Sequence, residues 1–496
     1  MEKLSINLSD YGYAAGNDGY GSSSGESVDA LNKALSAGET TGRENTDMAD
    51  ASGAPLKVES LEKTLKHITF KESDIRLWKD IPKKAAFNTV EEYNQQTSYG
   101  QDRGGFNAEG ELPDEEDSTY VRRAQLVKYL GVTKSVTHQM TLVNTMIGNV
   151  MERTIKDGTL WILRKLNKSL YFGDERIIPQ EFNGFIAQQI QSDAWANFGA
   201  YMDSEHIVDL RGKALQEDSI ETAANTIVEN YGLGTQIYAP PAVLSNFVKN
   251  FYGNKFIQPN TAAMSNGIMG QKVQAFDSQF GQIGLNHDVF FKKLPFRTSL
   301  SAANSVAAPA APIWDATTPI AVSGAVASSK WFSTDAGAVY YAVTALNRKG
   351  ESALSIYNTA AVTAVVGAAC DLKFTTGGGI NAATGYRIYR TKRGGLASGQ
   401  FFPLFDVSLD DLNRGYDGAA AGSIRDNNRF LPDTDQAMMQ QFDNEVIEFA
   451  QLAPLMKMDL AVLSPAFRFM ILMYGTPFLY APKKMVRFIN IGTSLV

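Results

Sequence analysis

Between Ala85 and Phe172 the pattern of apolar and polar positions changes twice. Ala85 to Tyr99 is polar and β-permissive, Gly100 to Asp117 is dense in turn formers and acids, and Tyr120 to Thr137 is rich in Val, Thr and Tyr. That order predicts two extended arms around a turn. At about 3.3 Å per residue, an arm of about 15 residues reaches roughly 50 Å. A lone two-stranded ribbon has no core of its own, so it makes sense only if a neighbouring molecule covers it. This points to an assembly protein before an enzyme. The second change comes at His138, where Met140, Val143, Ile147, Val150, Leu160, Leu163, Leu166 and Leu170 recur at three- and four-residue steps. They predict a helix from about His138 to Phe172, some 50 Å long at 1.5 Å per residue, closed by Gly173. Gly148 and Gly158 weaken it and predict a bend or break near Gly158.

Beyond the helix, Glu181 to Tyr201 reads as loop. From Ser204 the texture is α+β: Glu205–Gln216, Ser219–Tyr231 and Ala242–Phe251 as helices, Thr235–Ala239 and Asp288–Lys292 as strands. Ser301 to Pro312, rich in Ala, Ser and Pro, is a linker. Ile320 to about Asp426 then holds short strands (Ala338–Ala345, Ala360–Val366, Tyr386–Arg390, Phe401–Val407) spaced by Gly, Ser and Asn, the pattern of a β-sandwich. Phe430 to Val496 returns to mixed apolar texture and closes the main body. Residues 1–55 are Gly-, Ser-, Asp- and Ala-rich and read as an acidic flexible arm, with one short amphipathic piece carrying Val28, Leu31 and Leu35.

A glycine- and acid-tipped hairpin running into Arg122-Arg-Ala-Gln-Leu-Val-Lys-Tyr-Leu-Gly-Val-Thr-Lys-Ser-Val-Thr137 and then a long helix resembles the extended loop and spine helix of tailed-bacteriophage major capsid proteins, the family with the Hong Kong 97 type capsid fold. The resemblance covers roughly Leu56–Phe296 and Phe430–Val496. Within the interruption, Tyr340–Ser355 and Ala383–Gly395 resemble strands of a fibronectin type III or immunoglobulin-like domain, in the reverse of the usual order. The resemblance implies an α+β fold with a long spine helix, an extended β-hairpin loop and an inserted all-β sandwich. Its domains would be an arm (1–55), the start of a peripheral domain (56–84), the hairpin (85–137), spine helix and peripheral domain (138–203), an axial α+β domain (204–300), linker and insertion (301–429), and a return to both domains (430–496).

The function so implied is structural: self-assembly into the icosahedral capsid around the double-stranded DNA of a tailed phage, in the virion, after assembly in the host bacterial cytoplasm. The partners implied are hexamers and pentamers of the chain itself, enclosed DNA bound without sequence specificity, and scaffolding, portal or decoration proteins. Intersubunit contacts fall to the hairpin tip, Arg103, Phe106, Glu109, Glu111, Asp114, Glu115, Glu116 and Asp117. Candidate basic partners on a neighbour are Arg122, Arg123, Lys128, Lys483, Lys484 and Arg487, and the arm would dock through Val28, Leu31 and Leu35. Some relatives cross-link subunits through a Lys–Asn isopeptide bond. No matched positions license that here, and assembly is taken as non-covalent. Two other readings stay open: an encapsulin-like nanocompartment shell, and a multidomain adhesin or carbohydrate-active protein with an accessory sandwich.

Composition changes the picture little. The 496 residues allow two or three domains, and the single cysteine, Cys370, rules out an intrachain disulfide. No basic region followed by an apolar run opens the chain, so no signal peptide is expected, and no window suits a membrane span. Net charge is −7, of which residues 1–55 carry −6, so the remainder is nearly neutral and lacks the basic balance of a dedicated nucleic-acid binder. His67, His138, His206 and His287 are scattered, and no zinc-ligand spacing, phosphate loop or nucleophile elbow occurs. No catalytic residue, cofactor or metal site is expected. The six tip carboxylates could be a cation site, a paired-acid site or a solvated loop face. Catalytic acids need a pocket to separate their pKa values, which an exposed run lacks.

Overall fold

Alternate side chains along Lys128–Thr137 turn inward and outward, and this period of two seats the strand against a helix on one face only. The strand pairs antiparallel with Ala466–Leu479, from Lys128 opposite Gly475 to Thr137 opposite Ala466. Ala466–Leu479 pairs in turn with Ile447–Asp459, and Lys83–Ala85 adds a short parallel edge. The helix Val150–Phe172 lies on this four-stranded sheet through Ile162, Phe469 and Ile471, and its buried C-terminal half joins a larger core with Leu77, Phe182, Phe449 and Met473.

The computed structural model describes residues 69–100, 106–112, 115–143, 149–191, 206–254, 273–292, 308–357, 360–461 and 464–492. These fall in a single compact unit, Thr69–Asn144 with Asn149–Val496. The arm residues Val28, Leu31 and Leu35, the tip residues Arg103 and Asp114, and much of the 301–312 linker lie outside the described residues.

The long helix is shorter than its periodicity predicts, 23 residues or about 35 Å. Asn149 starts it by accepting a hydrogen bond from the Met151 amide. His138–Leu142 is a separate short helix. Gly158 does not break the long helix. It is buried, and a Cβ there would lie 2.7 Å from Ile471 Cδ1, so glycine lets helix and sheet approach.

Two arms form a ribbon, Val90–Ser98 against Thr119–Leu126, with a register shift between Gln96 and Ser98. Each arm is about 30 Å rather than 50 Å. The expectation failed because the return arm divides at Val127, and its second half is sheet, not ribbon.

A second, six-stranded sheet runs in the order Ile207–Asp209, Met485–Gly492, Thr434–Gln440, Gln236–Ala239, Gly281–His287, Ala275–Ser278. The helices Glu217–Glu229 and Pro241–Asn254 share one core with it, including Ile220, Ile227, Val243, Phe247, Val486 and Phe488. Three expectations are corrected here. The expected helix Glu205–Gln216 is absent from its described residues, 206–216, because Ile207–Asp209 pairs parallel with Arg487–Ile489 and the chain then turns at Arg211 and Gly212, both with positive φ. Glu181–Tyr201 is not all loop, since Phe185–Gln191 is a helix. Asp288–Lys292 is not a strand, because the Asp288 carboxylate accepts from the Phe290 amide at 2.8 Å and caps a 3-10 turn.

Between 313 and 426 the described residues form strands and one short helix, Leu409–Arg414, and the expected strands are present as Tyr341–Asn347, Val362–Ala364, Gly385–Arg390 and Phe402–Ser408. Two principal sheets, one built on Tyr341–Asn347 and Gly385–Arg390, the other on Cys370–Thr375 and Ser423–Asp426, share a core with Trp331, Leu372, Phe374, Tyr386 and Ile424. The module carries buried ion pairs. Arg387 donates to both Asp406 oxygens at 2.6 and 2.7 Å and to Glu351 at 3.3 Å, while Arg390 pairs with Asp426 over the Trp331 ring. It is fastened to the body at several points. Ile177 and Ile178 pack on Leu346, Asn490 holds the Leu431 amide and the Arg429 carbonyl, and Arg211 reaches Asp335 and the carbonyls of Lys330 and Asn428.

Candidate functional site

The ribbon leaves the body from an aromatic clamp. Tyr93 stands edge-on to Phe478 and Tyr480 at ring-centre distances of 5.5 and 4.9 Å, and those two rings stack on each other at 5.5 Å. Lys84 lies 4.8 Å over Phe478 and 5.4 Å over Tyr480, and the Tyr480 hydroxyl donates to Glu448 at 2.9 Å. Gln95 donates from its amide to the Tyr480 carbonyl and accepts from Arg123 Nε at 3.0 Å. Aromatic pairs of this geometry contribute roughly 0.5–1.5 kcal/mol each beyond area burial. Burial first, then the bond to Glu448, pushes the Tyr480 hydroxyl's pKa up, while Arg123 partly opposes the rise that burial produces at Tyr93.

Outside the clamp the ribbon is bare. Tyr120, Leu126, Tyr99 and Leu112 are exposed, and Phe106 is fully so. Glu109, Glu111, Glu115, Glu116 and Asp117 are exposed beside them. Glu111 accepts from the Ala108 amide at 3.1 Å, and the ends of the tip meet where Gly100 faces Glu116. No group of three potential metal ligands exists among the described residues. The tip therefore combines fully solvated apolar rings with acids, which suits a protein contact better than catalysis.

The family-model comparison decides what kind of protein carries this ribbon: the SU10 major capsid protein model matches residues 39–310, more than half of the chain. The chain belongs to the SU10 major capsid protein family. Its function is that of a tailed-phage major capsid protein, a structural role. The major capsid protein of Staphylococcus phage K is 25% identical over 462 residues, covering 91% of this chain and 93% of that protein. Among solved structures, the capsid of an empty GTA particle aligns with a TM-score of 0.45 and 8% identity over 90% of this chain and 99% of the other. Gordonia phage Cozz gives 0.42 and 7% over 91% and 96%.

In this capsid protein the six candidate basic partners are not equivalent. Arg122 is exposed but bonded across the ribbon to Glu92 and Asn94, each at 3.3 Å. Lys128 is held by Glu175 at 2.6 Å and the Pro179 carbonyl at 2.8 Å. Arg487 is buried, donates to Gln436 at 2.9 and 3.2 Å, and lies 5.8 Å over Phe430. Lys128 and Arg487 thus serve contacts within the chain: Lys128, on the edge strand, is turned toward Glu175, and Arg487 is turned inward by pairing on both sides of its strand. Lys483 is exposed and Lys484 half-buried at the turn before the last strand. Sequence reading missed the clamp, whose members Lys84, Tyr93, Phe478 and Tyr480 are far apart in the chain. It also missed a cleft of about 250 Å³ where the β module meets the body, lined by Phe172, Ile190, Phe405, Tyr416 and Phe430. No helix among the described residues is long and apolar enough to cross a membrane.

Proposed function

We propose that the chain builds an icosahedral shell of the Hong Kong 97 type around double-stranded DNA, by laying its hairpin across an adjacent copy of itself. The observation that carries this reading is a ribbon rigidly fixed at its base yet leaving Tyr99, Phe106, Leu112 and Tyr120 in solvent, where a monomer gains nothing from them. The tip residues Phe106, Glu109, Glu111, Glu115, Glu116 and Asp117, with Arg103 and Asp114, make the contact. Lys483 and Lys484, with Arg122 and Arg123, are its candidate basic counterparts. Such rim pairs set register more than affinity. Val150–Phe172 acts as the spine, residues 204–300 as the axial domain around five- and sixfold axes, and 301–429 as an immunoglobulin-like module carried on the shell. Val28, Leu31 and Leu35 dock the arm on a neighbour. Assembly proceeds in the host cytoplasm with scaffolding and portal proteins, and repetition of one modest contact supplies the stability.

Electron microscopy with light scattering tests it on the purified chain, alone and with its scaffold. Shells, tubes or rings are expected. Replacing 101–117 by a short turn should abolish them while leaving circular dichroism and the melting temperature within a few degrees of wild type. Particles that form equally well without the tip would sink the proposal.

A further inference from the structure

The long helix is electrically lopsided. Its first ten residues hold Glu152, Arg153, Lys156 and Asp157 and are neutral, and Arg153 pairs with Asp157 at 3.3 Å. From Leu160 to Phe172 there are three bases, Arg164, Lys165 and Lys168, and no acid. The helix dipole favours cations only in the last turn, so it does not account for Arg164 and Lys165. Arg164 and Lys168 are four residues apart and therefore lie on one face. Each rests on a ring instead of an acid: the Arg164 guanidinium 5.4 Å from the Phe70 centre, the Lys168 ammonium 6.0 Å from Phe290, and the two rings edge to face at 5.5 Å. Neither forms an ion pair among the described residues. Burial and then the charges of Arg164 and Lys165 push the Lys168 pKa down, the mark of like charges held together. A chain whose residues beyond 55 carry a net charge of about −1 has placed three bases and no acid on thirteen residues, and two of them, Arg164 and Lys168, form no ion pair among the described residues.

We infer that Arg164 and Lys168, with Lys165 beside them, form a phosphate-contacting face for the nucleic acid that the shell encloses. A polyanion is the partner that repeated cations on rigid, ring-backed side chains fit. Phosphate contact carries no sequence information, as a protein that encloses any genome segment requires.

The inference rests on the shell reading, and one experiment separates the two. Full-length chain is titrated with a short fluorescently labelled DNA duplex by anisotropy across a NaCl series, and particle formation is scored independently by electron microscopy. Wild type should bind with a salt-dependent constant. R164A/K168A should lower the log–log salt slope by about two, close to 0.9 per lost phosphate contact, and weaken low-salt binding about tenfold or more. The charge-preserving R164K/K168R should restore both. If the alanine pair fails to fold by circular dichroism, R164Q/K168Q replaces it. An unchanged slope, no binding by wild type, or capture of a synthetic acidic peptide of residues 1–55 without capture of the duplex overturns the inference. Loss of particles with DNA binding intact rejects the shell and leaves this face standing.

Discussion

Gly184 lets two backbones touch. A Cβ there would sit 2.6 Å from the Ser169 carbonyl and 2.8 Å from that of Leu170, so the chain passes over the end of the long helix only without a side chain. Gly184→Ala should cost about 1–3 kcal/mol through overpacking against backbone that cannot yield, read as a shift in denaturant midpoint. An unshifted midpoint would show that the crossing is slack. Cys370 is fully buried, and desolvation pushes its thiol up to about 12, followed by the nearby Asp426 charge. The native chain should resist a maleimide, and unfolding should release one reactive thiol. Because the folded pKa is raised, the unfolded chain loses this proton first. The contribution is whole below about pH 9 and declines as pH climbs toward 12. Rapid labelling under native conditions at pH 7.5 would contradict that burial. At Gly158 the sequence misled: glycine lowers helix propensity, but here the Ile471 contact outweighs propensity, and no local pattern announces a contact more than 300 residues away.

At the scale of elements, ribbon, helix, β module and most of the strands were legible, because period and turn residues are local signals. The failures share one cause. Ile207–Asp209 reads as helix until Arg487–Ile489 supplies a partner, and the return arm reads as one strand until Ala466–Leu479 claims its second half. Strand identity is conferred by neighbours more than by intrinsic preference. The clamp was invisible for the same reason. Tyr93→Ala should remove two edge-on ring contacts and free the ribbon, so limited proteolysis between 90 and 126 should accelerate while the core's circular dichroism persists. Equal cleavage rates would mean that Gln95 holds the ribbon alone. At the module's joint, Arg211→Ala deletes an ion pair with Asp335 and bonds to two carbonyls, and about 1.5–3 kcal/mol of stability should go with them. A double-mutant cycle with Asp335→Ala should show coupling, and strict additivity would place the joint's strength elsewhere, in Ile177 and Asn490.

For the whole molecule, the near-neutral charge beyond residue 55 and the missing catalytic spacings left a structural protein as the simplest reading, and the family match agrees with it. The acidic tip was visible from its composition. Its basic counterparts were not, because exposure cannot be counted from sequence: Arg487 and Arg122 look alike in a list and differ entirely in space. The clamp has a consequence at this scale. The strand beyond Tyr93, about 17 Å to Ser98, pivots on ring contacts 4.9 and 5.5 Å long and is a lever with a gain of roughly three. Repacking Phe478 or Tyr480 by half an ångström would swing the far end by about one and a half. In the proposed shell, where the hairpin lies across an adjacent copy, that angular error repeated around a closed surface would set how sharply successive copies bend, so particle radius would be tuned by the ring packing at the pivot, far from the contact itself.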